Sequence, residues 1–224
     1  MEQKKFTIAV LGGTGKEGPG LAMRWAYAGY PIIIGSRAQE KAEQTALELN
    51  QKLSIDCIRG LLNEEAIKAA DICVLTVVQS AHESILENLK EALRGKIVID
   101  TTARVDFMQP KPPLPPSAAR IAQNILGTNA QVVAAFQNIP AHVLKKQLGE
   151  SLNLDVIVCC DNIEPANIVI ELAQAIGVRA FYGGDLDQAI VLEGLTSLLI
   201  QMNKHYQAKT ASISVSGITG ALTN

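Results

Sequence analysis

The segment AVLGGTGKEGPG, residues 9–20, constrains the fold more than any other part of the chain. An apolar run that breaks into glycines and resumes as a helix-forming stretch reads as strand, turn and helix. Within it, Gly13-x-Gly15-x-x-Gly18 has the spacing of a dinucleotide-binding turn. Gly13 is expected to make the tight turn, Gly15 to let backbone N–H groups approach a pyrophosphate, and Gly18 to let the helix pack close to the sheet. Thr14, Lys16 and Glu17 lie in the same turn. The helix that follows offers the positive potential of its N-terminus to phosphate groups.

The rest of the chain repeats this alternation. Strands are expected near 6–11, 31–35, 55–59, 71–77, 96–100 and 131–135, with helices near 18–28, 38–52, 62–69, 80–93 and 117–126. Runs such as ICVLTVV and KIVID are apolar throughout, as in strands covered on both faces, so the class is a doubly wound α/β Rossmann sheet with parallel strands. QPKPPLPPSAAR interrupts the rhythm: five prolines between 110 and 116 forbid a helix until Ser117 can cap the next one. After FQNIPAHVLKK come a helix from Pro140, a strand LDVIVCC, a helix over 164–176, a short strand RAFYGG and a long helix over 185–206. The expected division is an NADP-binding domain, 1–137, and a smaller C-terminal α/β unit, 138–224, which contributes to the substrate cleft. Apolar residues on more than one face of the long helix suggest that part of its surface packs against another subunit or domain, and a homodimer is expected.

The second strand ends in IIIGSRAQEK, residues 32–41. In a Rossmann sheet this position reads the adenosine ribose, and a carboxylate there favours the free 2′-hydroxyl of NAD. This chain offers Ser36, Arg37 and, one helical turn on, Lys41. A hydroxyl, a bidentate guanidinium and an ammonium suit a 2′-phosphate, so the expected nucleotide is NADP(H). The alternative is that both cations are solvated charges opening an amphipathic helix. The Thr14 hydroxyl could reach the same side of the nucleotide. At the far end of the site, Thr76, Val77, Asp100, Thr101 and Ala103 fall at strand ends, where the nicotinamide half would lie.

A formal net charge of -2 gives no global attraction to nucleic acid or to a membrane surface. No apolar run approaches the roughly 18 residues of a spanning helix, and the N-terminal run is too short for a signal peptide, so a cytoplasmic location is expected. Cys57, Cys73, Cys159 and Cys160 lack C-x-x-C spacing, and three of them sit in apolar runs, as small buried hydrophobes do. The three histidines are too scattered for a metal motif; His142 and His205 are read as structural. His82 is expected to be a surface histidine at the start of its helix, with a place in the nicotinamide cleft as the alternative. Trp25 and Met23 read as packing residues. No Tyr-x-x-x-Lys occurs, which excludes the proton relay of short-chain dehydrogenases.

With these residues in view, the chain resembles the NADPH-dependent reductases of the deazaflavin coenzyme F420. The likeness rests on AVLGGTGKEGPGLAMRWAYAGYPIIIGSRAQEKAE, ADICVLTVV and NIPA, with LEGLTSLLIQM as a weaker echo. It implies that Thr14, Ser36, Arg37 and Lys41 hold the NADP phosphate, and it adds Ala141, which closes NIPA, to the cofactor-binding set. It also implies direct hydride transfer without a covalent nucleophile, so no catalytic residue is assigned, and His82 and Gln137 stand as pocket residues. Three departures surround the second substrate. Val77-Val78-Gln79 replaces Ile-Pro-Trp, with Ala81 at a histidine position; Gln137 stands where the family has histidine; Asp100-Thr101-Thr102 replaces Ser-Pro. The expected acceptor is F420, a flavin or another small oxidant, in a pocket formed by Val77 to His82, Thr101 to Arg104 and Gln137 to Ala141. Two other readings remain: a reductase of the hydroxyacid or imine type, for which the chain is short, and a non-catalytic NADP(H) sensor.

Overall fold

The apolar runs form eight short strands alternating with eight α-helices: β1 (Ile8–Leu11), α1 (Gly18–Tyr27), β2 (Ile32–Ser36), α2 (Gln39–Leu53), β3 (Ile58–Leu62), α3 (Asn63–Lys68), β4 (Ile72–Leu75), α4 (His82–Leu89), β5 (Ile97–Asp100), α5 (Ala118–Leu126), β6 (Gln131–Ala134), α6 (Ala141–Leu144), β7 (Asp155–Val158), α7 (Ile163–Ala175), β8 (Arg179–Tyr182) and α8 (Ala189–His205). The structure is a computed structural model and describes residues 5–146 and 148–218. Six strands make one sheet in the order β3-β2-β1-β4-β5-β6, parallel throughout, and β7 pairs with β8 in a second parallel sheet. The order reverses between β1 and β4, so a crevice opens above Leu11 and Leu75, where ligands of such sheets bind.

Side-chain alternation sends each strand into two cores. Ile8, Val10, Ile72 and Val74 join Trp25, Phe136, Val156 and Leu172 on one face, while Ala9, Leu11, Cys73 and Leu75 join Leu86, Ala122 and Leu192 on the other. Cys73, Cys159 and Cys160 are buried within these cores as expected. The two sheets meet at one antiparallel bridge, where Ala134 and Cys159 exchange backbone hydrogen bonds of 2.9 and 3.0 Å.

Helix α1 fastens this junction. Trp25 meets Phe136 edge-to-face at 5.7 Å and donates from Nε1 to the Leu172 carbonyl at 2.9 Å. Arg24, 3% exposed, donates to the carbonyls of Leu144, Lys146 and Ile176 at 3.0, 2.6 and 3.0 Å. The guanidinium thus supplies a fork of donors to carbonyls from two separate chain segments.

Several boundaries differ from the sequence reading, among them α8, which begins at Ala189 rather than near 185. β3 starts at Ile58 rather than near 55, because α2 ends at a left-handed Ser54 (φ 54°) and Asn50 then clamps Ile58 through both its N–H and its carbonyl. The helix expected over 80–93 splits into a 3-10 turn, Gln79–Ala81, and α4. The expected cap is present, with Ser117 Oγ accepting from the Arg120 N–H at 3.0 Å.

Candidate active site

The glycine turn sits at the mouth of the crevice, and each glycine can be judged by what a methyl group would meet. On Gly18 it would lie 2.7 Å from Gly13 Cα and 2.8 Å from Thr76 Oγ1, and on Gly13 it would lie 2.6 Å from the Val10 carbonyl. The left-handed residue is Gly12, at φ +69°, so the tight turn falls one place before the glycine expected to make it. Gly13 is required for a different reason: its N–H reaches Val10 and Gly35 carbonyls down in the sheet, leaving no room for a side chain. Gly15 differs from all of these. Its nearest neighbours would stand at 3.4 and 3.8 Å, so the protein itself does not demand glycine there. An open backbone face at the start of α1, flanked by exposed Thr14 and Lys16, fits a pyrophosphate.

At the end of β2, Ser36 is buried and its Oγ accepts from the Ala38 N–H at 3.2 Å, which leaves its own proton to donate. Arg37 and Lys41 are exposed, and neither side chain makes an ion pair or hydrogen bond among the described residues. Two unneutralised cations therefore stand four residues apart at the entry to α2, beside the crevice. Asn63, at the start of α3, adds a buried Oδ1 without a donor, 2.8 Å from where a Gly35 Cβ would be. Nothing in the sequence marked Asn63, because its neighbourhood to Gly35 comes from the β2–β3 pairing.

The end of β5 is built differently. Asp100 is fully buried, with Oδ2 at 2.7 Å from His82 Nε2, Oδ1 accepting from the Thr102 N–H at 2.9 Å, and its carbonyl accepting from Gln137 Nε2 at 2.9 Å. His82 is 3% exposed, so the surface position expected for it is corrected: the 3-10 turn swings the start of α4 inward and Asp100 captures the ring. Burial alone would lower the His82 pKa, but the hydrogen bond and charge of Asp100, aided by Glu83 and Glu193, raise it above the ordinary value.

Thr101 Oγ1 lies 3.0 Å from the Leu75 carbonyl and 3.4 Å from Glu17 Oε2. A hydroxyl has one proton to give, and the nearer carbonyl takes it, so a protonated Glu17 can donate to Thr101 in turn. Burial pushes the Glu17 carboxyl up to about 8, opposed by the Thr101 contact and assisted by the charge of Asp100. Thr76 likewise commits its hydroxyl to the Leu11 carbonyl at 3.0 Å, which ties β4 to the glycine turn. Glu17 Oε1, Thr102 Oγ1 and Gln137 Oε1 are buried without partners. All three belong to residues bonded to Asp100 or Thr101, so unfilled polar capacity gathers around the end of β5.

Beyond His82 opens a cleft of about 740 Å³, lined by Val78, Gln79, Ser80, His82, Glu83, Ser84, Glu87, Arg104 and Ile121. Of the pocket expected from the sequence it takes in Val78–Ser80, His82 and Arg104. Thr101, Thr102, Ala103 and the segment from Gln137 to Ala141 are not in its lining: α6 packs on α1, where a Gly20 methyl would lie 2.7 Å from Leu144 Cβ. Arg104 is fixed by Glu193 of α8, whose buried Oε2 accepts from Arg104 Nε at 2.9 Å and from its N–H at 3.1 Å, while Oε1 takes the Ala118 N–H at 2.5 Å.

A family profile described as NADP oxidoreductase, coenzyme F420-dependent, matches residues 7–104. The F420-dependent NADP reductase of Methanocaldococcus jannaschii is 38% identical over 222 residues, covering 94% of this chain and 98% of that protein. The chain belongs to the F420-dependent NADP reductase family. The reductase of the same name from Methanothermobacter marburgensis is 36% identical over the same shares of the two chains. A solved structure from Arthrobacter sp. FB24, assigned to F420-dependent NADP reductases, superposes with a TM-score of 0.79 at 23% identity, covering 95% of this chain and all of the other, and so shares the fold.

Within this family frame, the residues matching the sequence expectation divide by environment. Thr14, Lys16, Arg37 and Lys41 are exposed and available, and Gly15 has its open face. Thr76 and Thr101 use their hydroxyls inside the protein. Val77 and Ala103 are half-buried at strand ends, and Ala141 is the first residue of α6. His142 and His205 are exposed, and Trp25 and Met23 are core residues as read from the sequence. Glu193 was missed entirely, since a glutamate on a helix ordinarily reads as a solvated face.

Proposed function

We propose that the protein transfers a hydride between NADP(H) and coenzyme F420, with the NADP phosphate held at the end of β2. The observation that carries the NADP half is the pair of unneutralised cations, Arg37 and Lys41, beside Ser36, with no carboxylate at the ribose position. At ~4 Å a carboxylate would oppose each unit of phosphate charge by roughly 1 kcal/mol in water and about 4 at an effective dielectric of 20, and this chain avoids that cost. Family membership supports F420 as the other substrate. In this reading Gly13, Gly15 and Gly18 shape the turn, and Thr14, Lys16, Ser36, Arg37 and Lys41 bind phosphate groups. Glu17, Thr76, Val77, Thr101 and Ala103 border the nicotinamide half, and Ala141 braces the turn through α1. When bound, the nicotinamide supplies or receives the hydride; the protein's own residues orient the two substrates and exclude water between them.

The same proposal keeps an NADP-binding domain up to residue 137 and a smaller unit after it. It also pairs two copies through α8. Val191, Leu198, Met202 and Tyr206 are 62%, 56%, 40% and 70% exposed and recur at helical spacing on one face, as a subunit contact would. A cytoplasmic setting accords with the reaction. Among the described residues no helix is long and apolar enough to cross a membrane.

The test mixes the protein with NADPH and F420, then with flavins, and follows absorbance. Oxidation of NADPH with F420 supports the proposal. Tight NADPH binding without turnover on any acceptor replaces it with a sensor.

A further inference from the structure

We propose that His82, oriented by Asp100, gives the proton that accompanies hydride transfer to the acceptor, and that the cleft beyond His82 is where the acceptor meets it. The proposal rests on the functional reading above. It starts from a need of the chemistry. A hydride delivers two electrons and one hydrogen to an acceptor ring, so an electron pair is displaced onto a ring heteroatom, and that atom must gain a proton for the two-electron reduction to finish neutral.

The geometry points to His82 as the source. It forms part of the wall of the 740 Å³ cleft, at the end of the strand where ligands of this sheet bind. Its Nε2 is held 2.7 Å from Asp100 Oδ2, and its other ring nitrogen has no hydrogen-bond partner among the described residues. Asp100 cannot drift, because its Oδ1 and its carbonyl are each bonded in turn, to the Thr102 N–H and to Gln137. A buried carboxylate on one ring nitrogen fixes the ring and stabilises the imidazolium, which leaves the second nitrogen's proton for transfer.

The charged groups around the ring agree with this role. Asp100 from β5, Glu83 from α4 and Glu193 from α8 all favour the protonated ring and raise its pKa. Arg104, the nearby cation in the cleft wall, is tied to Glu193. Glu17 lies on the far side of Thr101, and Glu87 stands further along the cleft.

In the step itself the C4–H bond of NADPH breaks, and a C–H bond forms on the acceptor with the same electron pair. The His82 N–H bond breaks, and its proton goes to the heteroatom carrying the displaced pair. His82 is left neutral and regains a proton from water in the open cleft. In the opposite direction the neutral ring takes the proton.

The closing experiment has two arms. In the first, ¹⁵N NMR titration of the free protein follows its three histidines. His82 is expected to titrate above the ordinary imidazole value, and Asp100→Asn is expected to lower it. In the second, single-turnover hydride transfer from NADPH to F420 is measured against pH. The wild-type rate should fall as pH rises through the value found by NMR. His82→Gln should lower the rate about 100-fold at neutral pH and flatten the profile, with NADPH affinity unchanged.

A His82→Gln protein with the wild-type rate and profile overturns the proposal, as does a His82 that titrates below the ordinary imidazole value. If the variant does not fold, the wild-type profile decides: a rate insensitive to pH across the His82 titration is equally fatal. Wild-type protein that binds NADPH but moves no hydride to F420 or a flavin is a distinct outcome, which overturns the functional reading and this proposal with it.

Discussion

The ends of β2 and β5 sit on either side of the same crevice and follow opposite rules. At β2 the working groups, Arg37 and Lys41, are exposed and have no protein partner among the described residues. At β5 they are interior: Asp100, His82 and Gln137 hold one another, with 0%, 3% and 7% exposure. The difference teaches how each region would meet a ligand under the proposed function. Open cations attract a phosphate by charge and remain solvated until it arrives, so deleting them leaves the fold intact. A buried acid–histidine pair is a packed part of the molecule, and its function cannot be altered without touching stability.

The widest separation between the regions should come from Arg37→Ala combined with Lys41→Ala. Losing two charge-assisted contacts, each worth about 1.5–3 kcal/mol, should weaken NADPH roughly 100-fold or more in calorimetry while NADH affinity and thermal stability stay unchanged. Wild-type protein that binds NADH as firmly as NADPH would erase the contrast.

On the interior side, Glu193→Ala strips the partner from Arg104 and the acceptor from the Ala118 N–H, and urea unfolding should show a loss of about 3 kcal/mol. A loss below about 0.5 kcal/mol would mean that the pair is not structural.

Within the glycine turn the same contrast can be drawn residue by residue. Gly18→Ala should cost about 1–3 kcal/mol of stability, because its methyl meets backbone at 2.7 Å. Gly15→Ala should unfold like the wild type yet bind NADPH about tenfold more weakly. If both variants lose stability equally, the open face of Gly15 is not a ligand surface.

The smallest effect expected on NADPH affinity is that of pH. Glu17 has its folded pKa raised from 4.5 to about 8, so its contribution to stability is complete below pH 4.5 and is lost as pH rises towards 8. His82, also raised, contributes fully below about pH 6.5 and loses that contribution as pH climbs through its folded value. NADPH affinity should accordingly fall a few-fold above pH 8 as Glu17 gains a charge beside the nicotinamide half of the nucleotide. Glu17→Gln should remove that fall, and an unchanged pH dependence in that variant would exclude Glu17 as its source.

Much of the frame was legible because it depends on local order. Strands such as β4 and β5 were visible as uninterrupted apolar runs, whereas β3, IRGLL, carries Arg59 and Gly60 and starts three residues later than read. The Ser117 cap was visible as a hydroxyl before a helix, and the proposed phosphate side as a glycine spacing followed by cations where a carboxylate is common. The glycine mechanics were read with the right residues but shifted roles: left-handed φ falls at Gly12, and only distances to Val10 and Thr76 distinguish the glycines the fold needs from the one a ligand needs. His82 looked like a surface residue because a helix start usually is one, and Glu193 looked solvated because glutamates usually are.

The sequence by itself determined the sheet, its layers and the residues proposed for the nucleotide side of the crevice, since strand periodicity, glycine spacing and uncompensated charge are carried by residues close together in the chain. Only the tertiary structure brought together the residues proposed for the acceptor side. His82, Asp100, Gln137 and Glu193 come from four separate segments, and their burial and protonation depend on distances that exist only after parallel pairing has brought the ends of those segments together.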